Sequence, residues 1–272
     1  MRVTGRAVLL GLGLFGCAPS QMPTPEIVDV TAAEYAFGAP DTIAAGTVTF
    51  RMKDLGQEGH VASIVRLGEG ASIATLMQSG YVLEYVHIPD ALGGPVSSPG
   101  DSASDVTLTL APGRYAFFCY FHSPDGTTHA SKGMVREFRV VERGKTSEAA
   151  ARADTILLGD FSVQSAPALP AGERRFYIRN DGKVGHEVGI YRLAEGWTLA
   201  EAKAWEDTVS TESMGPWQDY GGVGLLAPGA GIVLRGTFPP GEYRIDCGIT
   251  DPKLKKSHAE MGMVTALTLR SN

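Results

Sequence analysis

One run of residues occurs twice in this 272-residue chain. It reads H-A-S-K-G-M-V at 129–135 and H-A-E-M-G-M-V at 258–264. Upstream of each copy stands a cysteine, Cys119 or Cys247, and further upstream a Gly-His, Gly59-His60 or Gly185-His186. The flanking segments match as well. D-L-G-Q-E-G-H-V-A-S-I-V-R-L (54–67) aligns with N-D-G-K-V-G-H-E-V-G-I-Y-R-L (180–193), and A-P-G-R-Y-A-F-F-C (111–119) with P-P-G-E-Y-R-I-D-C (239–247). A period this long is a domain duplication, since solenoid repeats are several times shorter. Each half must therefore fold in the same way and bring the same side chains to the same place.

The local signals in each half are strands. Thr47 to Met52, Val61 to Leu67 and Asp105 to Leu110 alternate apolar with polar residues, and Val135 to Val141 and Val264 to Leu269 close the repeats. Ala111-Pro112-Gly113 and Pro239-Pro240-Gly241 are turns that enter the strand carrying the cysteine. The 34 glycines and 16 prolines fit a chain of many short strands. Each half also has an insertion with a short helix: Ser72 to Gln78 in the first, and Thr198 to Trp205 in the second. In the latter, Thr198 and Glu201 form a capping box. Both insertions run on to a Gly-Gly, at 93–94 and 221–222. The spacing predicts an all-β chain of two tandem antiparallel sandwiches, 27–143 and 154–272, joined by a linker at 144–153.

The order His…Cys…His-x4-Met supplies two imidazoles, a thiolate and a thioether. That donor set suits copper in a trigonal site with a weak axial methionine, because soft sulfur favours the reduced ion while imidazole suits both oxidation states. The candidate ligands are His60, Cys119, His129 and Met134 in the first half, and His186, Cys247, His258 and Met263 in the second. His122 is an alternative to His129, being only three residues from Cys119. The duplication favours His129, since the position matching His122 is Thr250, whereas the step from histidine to methionine recurs.

On these residues each half resembles the cupredoxins, the Greek-key sandwiches of plastocyanin, azurin and rusticyanin. The H-A-S-K-G-M ending is similar to the rusticyanin type. The resemblance covers 27–142 and 154–270. It implies one mononuclear type 1-like copper per half, electron transfer as the activity, and His129 and His258 as the electron ports near the surface. Nine residues separate Cys119 from His129 and ten separate Cys247 from His258. Both ligand loops are thus expanded relative to the small blue copper proteins.

The N-terminus reads as an export signal. Arg2 and Arg6 precede an apolar stretch, Ala7 to Phe15, too short to span a bilayer. L-F-G-C-A then presents Cys17 as the residue of a bacterial lipoprotein site, with an ordinary signal peptide as the other reading. Residues 1–17 are the signal and 18–26 a tether, which places the protein on the periplasmic face of a bacterial membrane, held by a lipid. In that oxidising compartment, one unpaired cysteine per half is better explained as a metal ligand than as half of a disulfide.

A net charge of −6 argues against a nucleic-acid partner, which would require a basic face. The expected partner is a periplasmic or membrane redox protein. Alternatives are a metal-free binding module and a copper storage or delivery protein. A two-domain copper oxidoreductase such as a nitrite reductase is disfavoured: Phe118 and Asp246 precede the cysteines and Tyr120 and Gly248 follow them, so no histidine adjoins either cysteine to wire a second copper.

Overall fold

The structure, a computed structural model, describes residues 25–78, 88–99, 105–142, 153–206, 208 and 215–271. The stretch expected to be an export signal, with Cys17, most of the expected tether and nearly all of the expected linker lie outside the described residues.

The first half contains β1 (Glu26–Ala33), β2 (Ala36–Gly38), β3 (Thr42–Ala44), β4 (Gly46–Asp54), β5 (His60–Val61) and β6 (Ser63–Leu67). After them come α1 (Ile73–Gln78), β7 (Pro95–Ser97), β8 (Asp105–Leu110), β9 (Gly113–Phe118) and β10 (Val135–Val141). The second half contains β11 (Asp154–Gly159), β12 (Ser162–Gln164), β13 (Ala168–Pro170), β14 (Gly172–Asn180) and β15 (His186–Leu193). It closes with α2 (Leu199–Glu206), β16 (Trp217–Leu226), β17 (Gly231–Phe238), β18 (Gly241–Asp246) and β19 (Val264–Arg270).

Each half is a cupredoxin-like sandwich of two sheets. In the first, β1 runs parallel to β4, which pairs antiparallel with β8. Facing them, β6, β9 and β10 are antiparallel and β3 joins β10 in parallel. The second half repeats this with β11, β14 and β17 against β15, β18 and β19, with β13 parallel to β19. Alternation decides which side chains lie between the sheets: Val48, Phe50 and Met52 are fully buried while Thr49 and Arg51 between them face outward. The Pro-Gly turns are anchored by the strand they feed. Tyr115 Oη donates to Ala111 O and Tyr243 Oη to Pro239 O, both at 2.8 Å. Such a phenol fixes the corner where the chain enters the cysteine strand.

Both helices form where the capping residues place them. Thr198 N donates to Glu201 Oε2 at 2.8 Å, and Glu201 N returns a bond to Thr198 Oγ1 at 3.2 Å.

The halves share structure beyond their repeat. β8 pairs antiparallel with β17, so a single eight-stranded sheet runs through both halves. Strand β7 of the first half pairs with β16 of the second. The two Gly-Gly pairs sit at this seam. A Cβ on Gly94 would lie 2.0 Å from Ala62 O, and one on Gly222 2.0 Å from Val188 O. Only glycine lets the backbones approach so closely. The buried apolar side chains form one continuous cluster through both halves.

Candidate metal centres

The chain brings each histidine–cysteine–histidine set together through one repeated piece of backbone. His60 opens β5, and Cys119 follows directly on β9. The long segment after Cys119 does not wander. It folds into a small hairpin in which Ser123 N donates to Thr127 O at 3.0 Å and His122 pairs with Thr128. His129 N then donates to Phe121 O at 2.8 Å, and Ala130 N to Cys119 O at 2.8 Å. The additional residues are thus extruded, and His129 returns beside Cys119. The second half does the same: Thr250 pairs with Ser257, His258 N donates to Ile249 O at 2.8 Å, and Ala259 N to Cys247 O at 2.9 Å. Its one extra residue is taken up in the tip, where Lys255 has a φ of 54°.

The step from histidine to methionine is one tight turn. Met134 N donates to His129 O at 2.9 Å and Met263 N to His258 O at 2.8 Å, with Gly133 and Gly262 at positive φ just before. Cys119 N donates to Met134 O at 3.1 Å, and Cys247 N to Met263 O at 3.2 Å. Both methionines are fully buried beside their cysteines. The H-A-x-x-G-M pattern is the local code for this turn.

The donor atoms converge. His60 Nδ1 and His129 Nδ1 are 3.1 Å apart, and Cys119 Sγ is 3.4 Å from His129 Nδ1 and 4.0 Å from His60 Nδ1. In the second half, His186 Nδ1 and His258 Nδ1 are 3.0 Å apart, with Cys247 Sγ at 3.5 Å from His258 Nδ1 and 4.0 Å from His186 Nδ1. A d-block ion held by bonds of about 2.0 Å to nitrogen and 2.3 Å to sulfur would impose donor separations of roughly 3.4–3.8 Å in a trigonal plane. The observed edges lie within a few tenths of an ångström of that range. All six side chains are buried. The two sets fit one copper in each half.

Their protonation chemistry fits as well. Burial pushes the Cys119 thiol up to about 12 and raises Cys247 well above the usual thiol range. Burial also lowers His60 and His186. His258 falls to about 4, through burial first and the neighbouring His186 second. Without an ion, burial therefore keeps both sulfurs as thiols and disfavours charge on His60, His186 and His258. A bound cation reverses the balance for sulfur, which ligates as the thiolate. A backbone N–H already faces each sulfur, Val61 N at 3.4 Å from Cys119 Sγ and Glu187 N at 3.5 Å from Cys247 Sγ.

The surroundings of the second histidine differ between halves. His129 Nε2 lies 2.7 Å from Glu58 Oε2, and the Tyr35 ring meets its ring edge-on at 5.2 Å. Tyr35 Oη also contacts Glu58 Oε1 at 3.3 Å, Ser123 Oγ at 3.0 Å and Lys132 Nζ at 3.1 Å. At His258 the matching residues are Val184, Phe161 and Met261. The Phe161 ring packs edge-on at 5.4 Å, and His258 Nε2 is buried without a hydrogen-bond partner among the described residues. The first histidines also differ. Glu34 Oε1 and Asp54 Oδ1 both lie 3.9 Å from His60 Nε2, whereas Asp160 Oδ1 lies 3.4 Å from His186 Nε2 and the uncharged Asn180 stands at the position of Asp54. The backbone N–H groups of Gln57 and Glu58 pull Glu34 down to about 2, while burial pushes Asp54 up.

His122 is placed elsewhere. It is exposed on the hairpin and lines a cleft between the halves, with Tyr120, Phe121, Glu187, Gly248 and Ile249. Glu187 in that cleft is half-buried, and desolvation raises its carboxyl to about 7. Sequence reading did not single out Glu34, Tyr35, Asp54, Glu58, Asp160 or Glu187. Their one signal was position: Glu58 and Glu187 flank the Gly-His pairs, and Glu34 and Asp160 occupy matching turns.

No family profile matches the chain, and neither does any curated protein. Among solved structures, it is similar to reduced auracyanin from Roseiflexus castenholzii, 19% identical over 45% of this chain and 99% of that one, with a TM-score of 0.31. Auracyanin A, a "blue" copper protein from Chloroflexus aurantiacus, is 20% identical over 44% of this chain and all of its own, with a TM-score of 0.32. A copper nitrite reductase from Nitrosomonas europaea is 14% identical over 92% of this chain and 95% of its own, with a TM-score of 0.27.

Proposed function

We propose that this chain is an exported electron-transfer protein that holds one copper ion in each half. His60, Cys119 and His129 would hold the first ion, with the Met134 thioether as a further soft donor. His186, Cys247 and His258 would hold the second, with Met263. Bound copper supplies a one-electron change between its two common oxidation states. The chain's part is to keep the donors fixed. Both sets are tied by backbone hydrogen bonds between the cysteine strand, the hairpin base and the methionine turn, so little must move when the charge changes. One observation carries this reading: two buried imidazole–thiol–imidazole sets with matching Nδ1 and Sγ separations, built by the same turn in both repeats.

A carrier is favoured over a delivery protein because all six donors are enclosed, which favours retention of the ion. Export and lipid attachment at Cys17 are part of the same proposal, supported by the basic and apolar N-terminal stretch and by unpaired, buried Cys119 and Cys247. The partner is then a periplasmic or membrane redox protein. The test is repeated chemical reduction and oxidation of the copper-loaded protein in the presence of a copper chelator. A carrier regains its visible thiolate-to-copper absorption at each cycle and keeps its metal. Loss of copper to the chelator on first reduction would support delivery instead.

A further inference from the structure

The cleft between the halves is walled by residues directly adjoining the metal-site residues in sequence. Tyr120 follows Cys119, Glu187 follows His186, and Gly248 follows Cys247. Across the cleft, Tyr120 Oη donates a hydrogen bond to Glu187 Oε2. Glu187 N in turn points at Cys247 Sγ, 3.5 Å away. Tyr120 is only 5% exposed, and Glu187 is half-buried at the cleft wall. From Cys119 the connection therefore runs through one peptide bond and the Tyr120 ring, across one O–H···O hydrogen bond, through the Glu187 side chain and amide, and across one N–H···S contact.

This link is absent from the pseudo-symmetric position. The residue matching Tyr120 is Gly248 and the residue matching Glu187 is Val61. The two repeats have kept their donor sets and turns in common but differ at the pair that spans this cleft. An interface held only by packing would not need a polar pair whose members each adjoin a metal-site residue.

We propose that Tyr120 and Glu187 form an internal bridge that couples the two metal sites, so that an electron passes between the halves without leaving the protein. The proposal rests on the reading that both sites hold copper. One electron moves: the copper in one half is oxidised by one unit as the copper in the other is reduced by one unit. No bond breaks, and the Tyr120 proton stays on its oxygen. Glu58 Oε2 lies 2.7 Å from His129 Nε2, where the second half has Val184, and that carboxylate favours the oxidised ion in the first half. Electrons therefore run from the first half to the second.

The test uses the full chain loaded with copper. Cys119→Ser and Cys247→Ser provide the spectrum of each single site. A pulse-generated one-electron donor radical then reduces the oxidised parent, and absorbance follows redistribution between sites. The parent should show a redistribution phase whose rate does not depend on protein concentration. Tyr120→Phe should slow that phase tenfold or more while keeping two copper ions per chain and both absorption bands. Glu187→Gln keeps an acceptor oxygen and should stay within threefold of the parent, whereas Glu187→Leu should match Tyr120→Phe. In the metal-free protein, the melting-temperature losses of Tyr120→Phe and Glu187→Leu should be non-additive in the double variant, because both remove one hydrogen bond. A redistribution rate unchanged by Tyr120→Phe with both sites loaded overturns the bridge and leaves the copper reading standing. A phase that scales with concentration does the same. A parent that takes up no copper overturns both.

Discussion

His129 and His258 occupy equivalent corners of equivalent sites, yet one is set among polar groups and the other among apolar ones. Around His129 stand Glu58, Tyr35, Ser123 and Lys132, joined by hydrogen bonds. Around His258 stand Phe161 and, at the matching positions, Val184 and Met261. The hairpin tips differ too: the first carries Asp125, paired with Lys132, and the second carries Lys253, Lys255 and Lys256 beside an exposed Leu254. The comparison teaches that donor geometry and donor surroundings are separable. The geometry comes from backbone hydrogen bonds that both halves make alike. The surroundings come from side chains that those bonds do not constrain, and so they can tune two identical donor sets to different potentials. Glu58 lies against the His129 ring where Val184 stands in the second half, and a carboxylate on a ligand's ring stabilises the more positive ion, so the first site should have the lower potential of the two.

The strongest way to break the comparison is to remove one sulfur at a time. Cys119→Ser and Cys247→Ser should each weaken copper binding in their own half by more than about 4 kcal/mol, a thousandfold, because a hydroxyl is a poor soft donor. Each variant should keep the absorption band of the other half. If either substitution abolished both bands, the halves would not be separate sites.

Next in size are the seam glycines. Gly94→Ala and Gly222→Ala each press a methyl group into a carbonyl oxygen, and Gly94 also has a φ of 149°. Urea unfolding should show losses of about 3 kcal/mol or more for both, larger for Gly94→Ala because backbone strain adds to the clash. A loss under about 1 kcal/mol would mean that the seam relaxes easily.

Exchanging the surroundings sharpens the contrast. Glu58→Gln should weaken binding of the oxidised ion in the first half by about tenfold, as outer partners of a ligand histidine commonly do, and raise that site's potential toward the second. Val184→Glu should lower the potential of the second site. Voltammetry in which Glu58→Gln leaves the first potential unmoved would show that the carboxylate does not tune it.

The smallest effect is on pH. His258 has a folded-state value of about 4 against 6.5 for an ordinary histidine. The unfolded chain then binds the proton first, so the metal-free protein should lose stability as pH falls from about 6.5 toward 4. Replacing His258 by Gln should flatten that part of the profile. A melting temperature that rises on acidification through this window would contradict the assignment.

Much of this was legible in the residues alone, for particular reasons. The duplication exposed the strand framework and the turn from histidine to methionine, because a turn that needs glycine at one position leaves a short, recognisable string. The Gly-Gly pairs were visible, but their cause was not, since it lies in carbonyls contributed by distant strands. The expanded spacing after each cysteine looked like a weakness in the donor set. The structure shows a self-contained hairpin whose base restores the short geometry. Joining of the halves through β8 and β17 was not legible, because an edge strand carries no mark of the strand it will pair with. Glu58 and Val184 stood at matching positions from the start, but only their placement against Nε2 of the neighbouring ring gives the difference meaning.

The central claim is that each half holds one copper through its own thiolate. Its most direct test is optical titration of the metal-free full chain with copper. The account predicts a thiolate-to-copper band that grows in proportion to added metal and stops at two ions per chain. Saturation at one ion, or no visible band at all, would contradict it.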